Sequence, residues 1–236
     1  MLTDFHSHIL PGMDDGASDT EESLKLLSML SSSGAQRVVL TPHFYRHDED
    51  INRFLSRRKK SVEELSSALE NMPNCPKLAL GAEVYFYPSL SSDPDFEKLC
   101  IEGTNYMLLE LPFEHFYDSF FSDFAKFMNR CSCKIILAHI ERYMRFGNTQ
   151  KEFERLLSMG DIICQMNCTS LVKSGYFDRR KLISMLNDGT VRLIGTDTHN
   201  SMTRPPMFGE AKDIIVKKCG QQILDRIIQT GNDILN

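Results

Sequence analysis

Cysteine spacings of the kind that hold zinc or build a disulfide framework are missing from this 236-residue chain. Its seven cysteines (Cys75, Cys100, Cys131, Cys133, Cys164, Cys168 and Cys219) contain no CxxC pair, and the odd count fits reduced thiols in a reducing compartment. None is followed six positions later by arginine, so the thiolate-and-phosphate-loop chemistry of cysteine phosphatases is excluded. GxxxxGK[ST] and GxGxxG are absent as well, which removes the P-loop and the dinucleotide fingerprint. No apolar stretch approaches the length of a membrane span, and Met1-Leu2-Thr3-Asp4-Phe5-His6 has neither a basic n-region nor an apolar h-region. A cytoplasmic chain with no membrane insertion is expected. A basic excess is lacking too: 27 Lys plus Arg face 32 Asp plus Glu, a net charge of −5, so no nucleic-acid partner is expected and any phosphate recognition must be local. Without a Gly/Ser linker or low-complexity tract, residues 1–236 read as a single domain.

What the chain does contain is an alternation of short apolar runs with longer amphipathic segments, at intervals near the size of a βα unit. Seven strands are expected, at Leu2–His6, Arg37–Thr41, Lys77–Ala82, Asn105–Leu111, Lys134–Ala138, Asp161–Met166 and Val191–Thr196. Between them, Ser18-Asp19-Thr20-Glu21 reads as a capping box ahead of Leu24, Leu27 and Leu30, with Gly34 as the stop. Ile51, Leu55, Val62, Leu65, Leu69 and Met72 mark a second helix. The basic run Arg57-Arg58-Lys59-Lys60 falls on it and reads as a solvated face. Strand-helix alternation implies a parallel sheet, and seven units without a Rossmann fingerprint favour an α/β fold of the distorted (β/α)7 barrel type.

In such a barrel the loops after the strands converge at one end, and there the sequence places polar groups repeatedly. The first strand runs into His6 and His8, the second into His43, the third into Glu83, and the fourth into Glu110. The fifth ends in His139, the sixth in Asn167, and the seventh in Asp197 and His199. Period-two alternation puts His6 with His8, and Asp197 with His199, on one face. An HxH pair alone is weak evidence. Six of seven strand ends carrying ionisable groups is not, because burying so many together without a cation would be severely costly. Imidazole and carboxylate donors suit manganese, iron or zinc. A carbamylated lysine bridge of the amidohydrolase kind is disfavoured, since the middle strands end in Glu83 and Glu110 instead. His47 and His115 lie in loops and read as spectators.

These motifs, in order, are Asp4-Phe5-His6-Ser7-His8-Ile9-Leu10-Pro11-Gly12 with Asp14-Asp15-Gly16, Thr41-Pro42-His43, Gly81-Ala82-Glu83, Ala138-His139-Ile140-Glu141-Arg142-Tyr143, and Asp197-Thr198-His199-Asn200 with Arg204-Pro205-Pro206. Together they resemble the PHP (polymerase and histidinol phosphatase) superfamily, and within it the bacterial manganese-dependent protein-tyrosine phosphatases of capsular and exopolysaccharide biosynthesis. The likeness spans nearly the whole chain. Gly231-Asn232-Asp233 departs from the Asn-Pro usual near the end.

The resemblance implies a PHP-type barrel with three divalent ions, manganese first, with iron or zinc as alternatives. His6, His8, Glu83 and Asp197 would hold one ion, Glu83 with Glu110 and His139 the second, and Asp15, His43 and His199 the third. Asp15 rather than Asp14 follows only from the register of the motif. Arg142 and Arg204 would hold phosphate, with Glu141 pairing with or orienting Arg142. The implied substrate is a phosphotyrosine protein, a bacterial tyrosine kinase. Four carboxylates against three divalent ions leave a surplus of about two positive charges, which suits a phosphate dianion. Histidinol phosphate or another small phosphomonoester is the alternative substrate, and a non-catalytic metal-stabilised scaffold is the alternative of another class.

Overall fold

The computed structural model describes residues 1–70 and 72–236. Its strands are β1 (Thr3–Ser7), β2 (Arg37–Leu40), β3 (His43–Phe44), β4 (Lys77–Leu80), β5 (Glu83–Tyr85), β6 (Tyr106–Glu110), β7 (Lys134–Leu137), β8 (Ile162–Asn167) and β9 (Val191–Gly195). All pair in parallel, in the orders β1-β2-β4 and β3-β5-β6-β7-β8-β9. The helices between them are α1 (Thr20–Ser32), α2 (Ile51–Leu69), α3 (Asp118–Arg130), α4 (Ile140–Tyr143), α5 (Gln150–Leu157), α6 (Cys168–Lys173), α7 (Tyr176–Asn187), α8 (Phe208–Cys219) and α9 (Gln221–Leu235).

Two of the expected strands are each followed, after a break, by a further short strand. Arg37–Thr41 is found as β2 and the chain resumes pairing as β3 beyond Pro42, which has no N–H to continue the ladder. Lys77–Ala82 is found as β4 and resumes as β5, and the Gly81 carbonyl at that break accepts from the Arg58 guanidinium at 2.6 Å. Counting each broken pair once gives the seven expected staves. The ring closes where Asp197 N donates to His6 O at 2.8 Å and His8 N to Thr198 O at 2.9 Å, joining the end of β9 to β1. Ile101 and Glu102 fill the gap between β4 and β6, through Glu102 N to Leu80 O at 2.7 Å. The result is a distorted α/β barrel.

Side-chain alternation sorts the barrel interior into two layers. Val39, Leu108, Ile136, Ile163 and Leu193 form an apolar cluster separate from the larger core between strands and helices, with Ile101 and Ile234 packed into it. Two or four residues further along the chain from Val39, Leu108, Ile163 and Leu193 come His43, Glu110, Gln165 and Asp197. The polar layer therefore sits directly on an apolar floor. In β1, Asp4 opposes Val38 but Ser7 opposes Leu40, three steps against two. That irregularity lets consecutive Phe5 and His6 both reach the interior, Phe5 in the floor and His6 in the layer above.

Two local expectations shift. The N-cap of α1 is Asp19, whose carboxylate accepts from Glu22 N at 2.9 Å, one residue later than the expected Ser18 box. Its charge also suits the positive end of the helix, and Glu22 bonds Ser201 N instead of closing a box. Nor is the basic run on α2 uniformly solvated. Arg57 reaches Glu49 and the Met13 carbonyl, and Arg58 reaches Gly81, while Lys59 and Lys60 are 80% exposed.

Gly195 ties the fold to the polar layer. A Cβ there would lie 2.5 Å from His6 Cβ and 2.9 Å from Gln165 Nε2. Gly195→Ala should therefore displace His6 and cost about 1 to 3 kcal/mol, as overpacking does. In thermal unfolding this corresponds to roughly 2 to 4 °C per kcal/mol. An unchanged Tm would show that the layer yields without strain.

Candidate metal centre

The centre is assembled around the Glu83 carboxylate, which is 1% exposed. The register of β3 against β5 sets His43 opposite Glu83, and Glu83 N donates to the Pro42 carbonyl at 3.0 Å. Glu83 Oε2 lies 3.1 Å from His6 Nε2, 3.3 Å from His8 Nε2 and 3.0 Å from His43 Nδ1. Its other oxygen is 2.9 Å from His139 Nε2, which is also 3.2 Å from Glu110 Oε1. On the opposite side Asp197 Oδ1 lies 3.7 Å from His6 Nε2, 3.4 Å from His8 Nε2 and 3.6 Å from His199 Nδ1. Asp15 stands at the mouth, 3.2 Å from His199 Nε2 and 3.6 Å from His43 Nε2.

Two of these residues are aimed by unusual backbone. His139 and Asp197 stand two residues past the ends of β7 and β9 with φ of 32° and 52°, in the left-handed region that non-glycine residues avoid. Such strain costs on the order of 1 to 3 kcal/mol each and concentrates at functional sites. Local bonds hold it: His139 N donates to Gln165 Oε1 at 2.9 Å, and Asp197 N to His6 O. Buried Asp4 braces β1 against β9, accepting from Thr196 N at 2.8 Å, Thr196 Oγ1 at 2.6 Å and His6 N at 3.2 Å. Burial raises its carboxyl to about 6 against those bonds. Asp14 accepts from His8 Nδ1 at 2.7 Å, leaving His8 Nε2 to face Glu83.

The charges answer one another. Burial works against a charged Glu83, but the His6 charge, the His139 bond and the close His43 ring hold its carboxyl well below the usual range. Burial likewise opposes, and the histidines and Arg142 overcome, to keep Asp197 low. His139 is disfavoured as a cation by burial, yet Glu110 and Glu83 lift it to about 9. His8 is raised well above its ordinary value despite burial, chiefly by Asp14. His199 goes the other way, to about 4, under burial and the repulsion of His8. Protons on imidazoles thus neutralise a buried carboxylate cluster.

A divalent cation is a better occupant of that role. Glu83 Oε2 has three ring nitrogens within 3.3 Å, yet neither it nor His43 Nδ1 has a directed hydrogen bond, and His199 Nε2 is likewise buried and unpartnered. Donor atoms that approach one another without bonding share a common target. Among the described residues, three sets each bring one donor atom per residue within 4.8 Å: His8, Asp15, His43 and His199; His6, His8 and Glu83; and His43, Glu83 and Glu110. The donor set therefore fits hard or borderline cations held by nitrogen and oxygen.

A family model described as "Capsular polysaccharide synthesis, CpsB/CapC" matches residues 2–236. The chain belongs to the CpsB/CapC family. It is 28% identical over 233 residues to the tyrosine-protein phosphatase CpsB of Streptococcus pneumoniae, covering 93% of this chain and 91% of that one. It is 25% identical over 240 residues to the tyrosine-protein phosphatase YwqE of Bacillus subtilis, covering 94% and 87%. A crystal structure from the pair YwqE of Bacillus subtilis and CpsB of Streptococcus pneumoniae, metal-dependent tyrosine phosphatases, superposes with a TM-score of 0.84 at 21% identity, covering 99% of this chain and 94% of that one. At that identity the superposition establishes the fold.

In this member of the CpsB/CapC family, every residue expected from the strand-end motifs reaches the same cleft. The groupings differ in detail from those the resemblance implies: His8 also stands with Asp15, His43 and His199, and His43 with Glu83 and Glu110. Arg142 pairs with Asp197 Oδ2 at 2.6 Å rather than with Glu141, whose buried carboxylate accepts from Asn167 N at 3.2 Å. Arg204 reaches Asp197 Oδ1 at 3.0 Å, from a loop folded around the Asn200 side chain, which accepts from Thr203 N at 2.7 Å and Arg204 N at 3.2 Å. Gln165, Asn167 and Asp4 were not singled out as supports. Their signal was a polar residue inside an apolar run. His115 lies outside the cleft against Tyr117, while exposed His47 touches its rim through Tyr45, whose ring lies tilted against His43 at 5.0 Å.

Titration offers a test with a defined sign. A histidine raised to about 9, as His139 is, stabilises the metal-free fold fully below its ordinary value of 6.5. That contribution is lost as pH rises through about 9, and raised His8 adds to it. In the presence of a chelator, Tm should fall between pH 6.5 and 9. A divalent cation, which must displace those protons, should bind more tightly as pH rises and offset the loss. Thermal unfolding across that window checks it; a flat or rising Tm in chelator would contradict the charge assignment.

Proposed function

We propose that this chain hydrolyses phosphotyrosine in proteins, as one catalytic domain spanning residues 1–236 in the cytoplasm, with three divalent ions, manganese foremost. Its substrate is then a bacterial tyrosine kinase that governs capsule or exopolysaccharide synthesis. The names of its relatives agree with that reading. Among the described residues no helix is long and apolar enough to cross a membrane.

The observation that carries the proposal is the pair of guanidinium groups on Asp197. Arg142 and Arg204 approach opposite oxygens of a carboxylate that itself faces His6, His8 and His199. Their remaining N–H donors form a two-sided cradle for phosphoryl oxygens beside the cation sites. His6, His8, Glu83 and Asp197, then Glu83, Glu110 and His139, then Asp15, His43 and His199 would hold the three ions. Bound by these residues, the ions would supply a lowered pKa for water and positive charge against the phosphate. Asp14 fixes the His8 ring, and Gln165 and Asn167 fix His139 and Asp197, so the donors keep their aim.

An aryl ester is favoured on two grounds. Phe113, 37% exposed, stacks on His139 at 5.5 Å and on Phe146 at 5.7 Å, with the Arg142 guanidinium 5.9 Å above its ring. An aromatic surface therefore adjoins the phosphate cradle. Further, a phenolate leaves with a conjugate-acid pKa near 10, whereas an alkoxide needs a proton donor. The carboxylates of the cleft are committed to imidazoles or arginines, and Glu141 to a backbone amide.

The experiment is a substrate panel on chelator-stripped protein with manganese restored. Activity should be abolished by chelation, recovered with manganese and indifferent to thiol alkylation. A phosphotyrosine peptide should exceed the same peptide with phosphoserine, and histidinol phosphate, by orders of magnitude in kcat/KM. Faster turnover of histidinol phosphate or the phosphoserine peptide would assign the site to small phosphomonoesters or to another protein phosphatase class.

A further inference from the structure

The mouth of the cleft is electrically lopsided. On the His43 side its surface is acidic, with Asp14, Asp15, Asp48 and Glu49 lining a depression that holds one arginine, Arg57, itself paired with Glu49. On the Arg142 side a cavity of about 260 Å3 opens off Asp197, and its walls include Arg142, Arg204, Arg145 and Lys173. The carboxylate in that wall is Asp197, already met by Arg142 and Arg204. Four cations against the single carboxylate of Asp197 give this cavity a local excess of positive charge in a chain of net charge −5.

Two of the four have no task in the phosphate cradle. Arg145 and Lys173 are exposed, and among the described residues neither makes an ion pair. The hydroxyl of Ser174, in the same wall, is buried without a hydrogen-bond partner. Arg142 and Arg204 suffice for one phosphoryl group, so the extra donors match a second anion. A cavity of this volume is roughly 8 Å across, the span of two to three extended residues. A second anion held here would lie close enough to the first to be carried on the same chain.

Resting on the phosphatase reading above, we propose that Arg145 and Lys173 form a subsite for an anionic side chain within about three residues of the scissile phosphotyrosine. Segments with acidic residues or a second phosphate beside the phosphotyrosine are thereby the favoured substrates.

The test is direct binding, so that it stands apart from turnover. Fluorescent peptides would carry non-hydrolysable phosphonomethyl-phenylalanine flanked by alanines, by glutamates, or by a second phosphonate residue, and anisotropy would give each Kd on manganese-loaded protein. The anionic peptides should bind roughly fivefold to twentyfold more tightly than the alanine peptide, a range expected for two exposed charge contacts. In the double variant Arg145→Ala, Lys173→Ala that ratio should fall to about one. Lys59→Ala, Lys60→Ala, on the far basic run, should retain it. Preference shared by the glutamate peptide names a carboxylate as sufficient, and preference confined to the second phosphonate names a phosphoryl group. A ratio of one in the unaltered protein, or an undiminished ratio in the Arg145/Lys173 variant, would overturn the subsite. Absence of turnover of any phosphotyrosine peptide would instead overturn the phosphatase reading, while leaving the binding ratio to report on the subsite.

Discussion

The Glu83 carboxylate, buried at the top of the barrel, is the constraint that the rest of the polar layer answers. An isolated carboxylate in that position would be desolvated at a cost of many kcal/mol. Four imidazoles from three other strand ends, His6, His8, His43 and His139, close on its two oxygens within 3.3 Å. Their own supports reach further out: Asp14 behind His8, Gln165 behind His6 and His139, and Asp4 behind the strand that carries His6. The left-handed turns at His139 and Asp197 are tolerated because these bonds over-determine them. Cation binding, fold and strain are thus parts of one electrostatic problem.

Chemistry follows from the same arrangement. A cluster whose nitrogens hold protons in the absence of metal exchanges them for divalent charge, and this turns an acidic cleft into one that attracts phosphate. Arg142 and Arg204 stand on Asp197 already, so the cradle we propose for phosphate would be preorganised before substrate arrives. The Phe113 surface lies beside it where an aryl group would be useful. On this reading an acidic protein would handle an anion through local charge, not through its net field.

Much of this was readable from residue order. Apolar runs ending in His, Glu or Asp named the strand ends, because period-two alternation carries the inward face of each strand from floor to polar layer, as from Leu108 to Glu110 and from Leu193 to Asp197. Other features left no such trace. The breaks at Pro42 and Gly81 depend on a proline without a donor and on Arg58 arriving from a distant helix. Left-handed backbone at His139 and Asp197 is imposed by tertiary bonds, and no local propensity announces it. Adjacent Asp14 and Asp15 differ only in where the loop turns them, one behind His8 and the other toward His43 and His199. Adjacency in sequence suggests that Glu141 pairs with Arg142, but successive residues of a helical turn point apart, and each finds its partner at the end of a following strand.

The account turns on Glu83 and its neighbours being cation ligands, and anomalous scattering from crystals grown with manganese tests that most directly. It predicts three peaks in the cleft. One would touch Glu83 with His6, His8 and Asp197, the second Glu83 with Glu110 and His139, and the third Asp15, His43 and His199. Peaks that avoid Glu83, or none in the cleft at manganese concentrations that saturate activity, would contradict it.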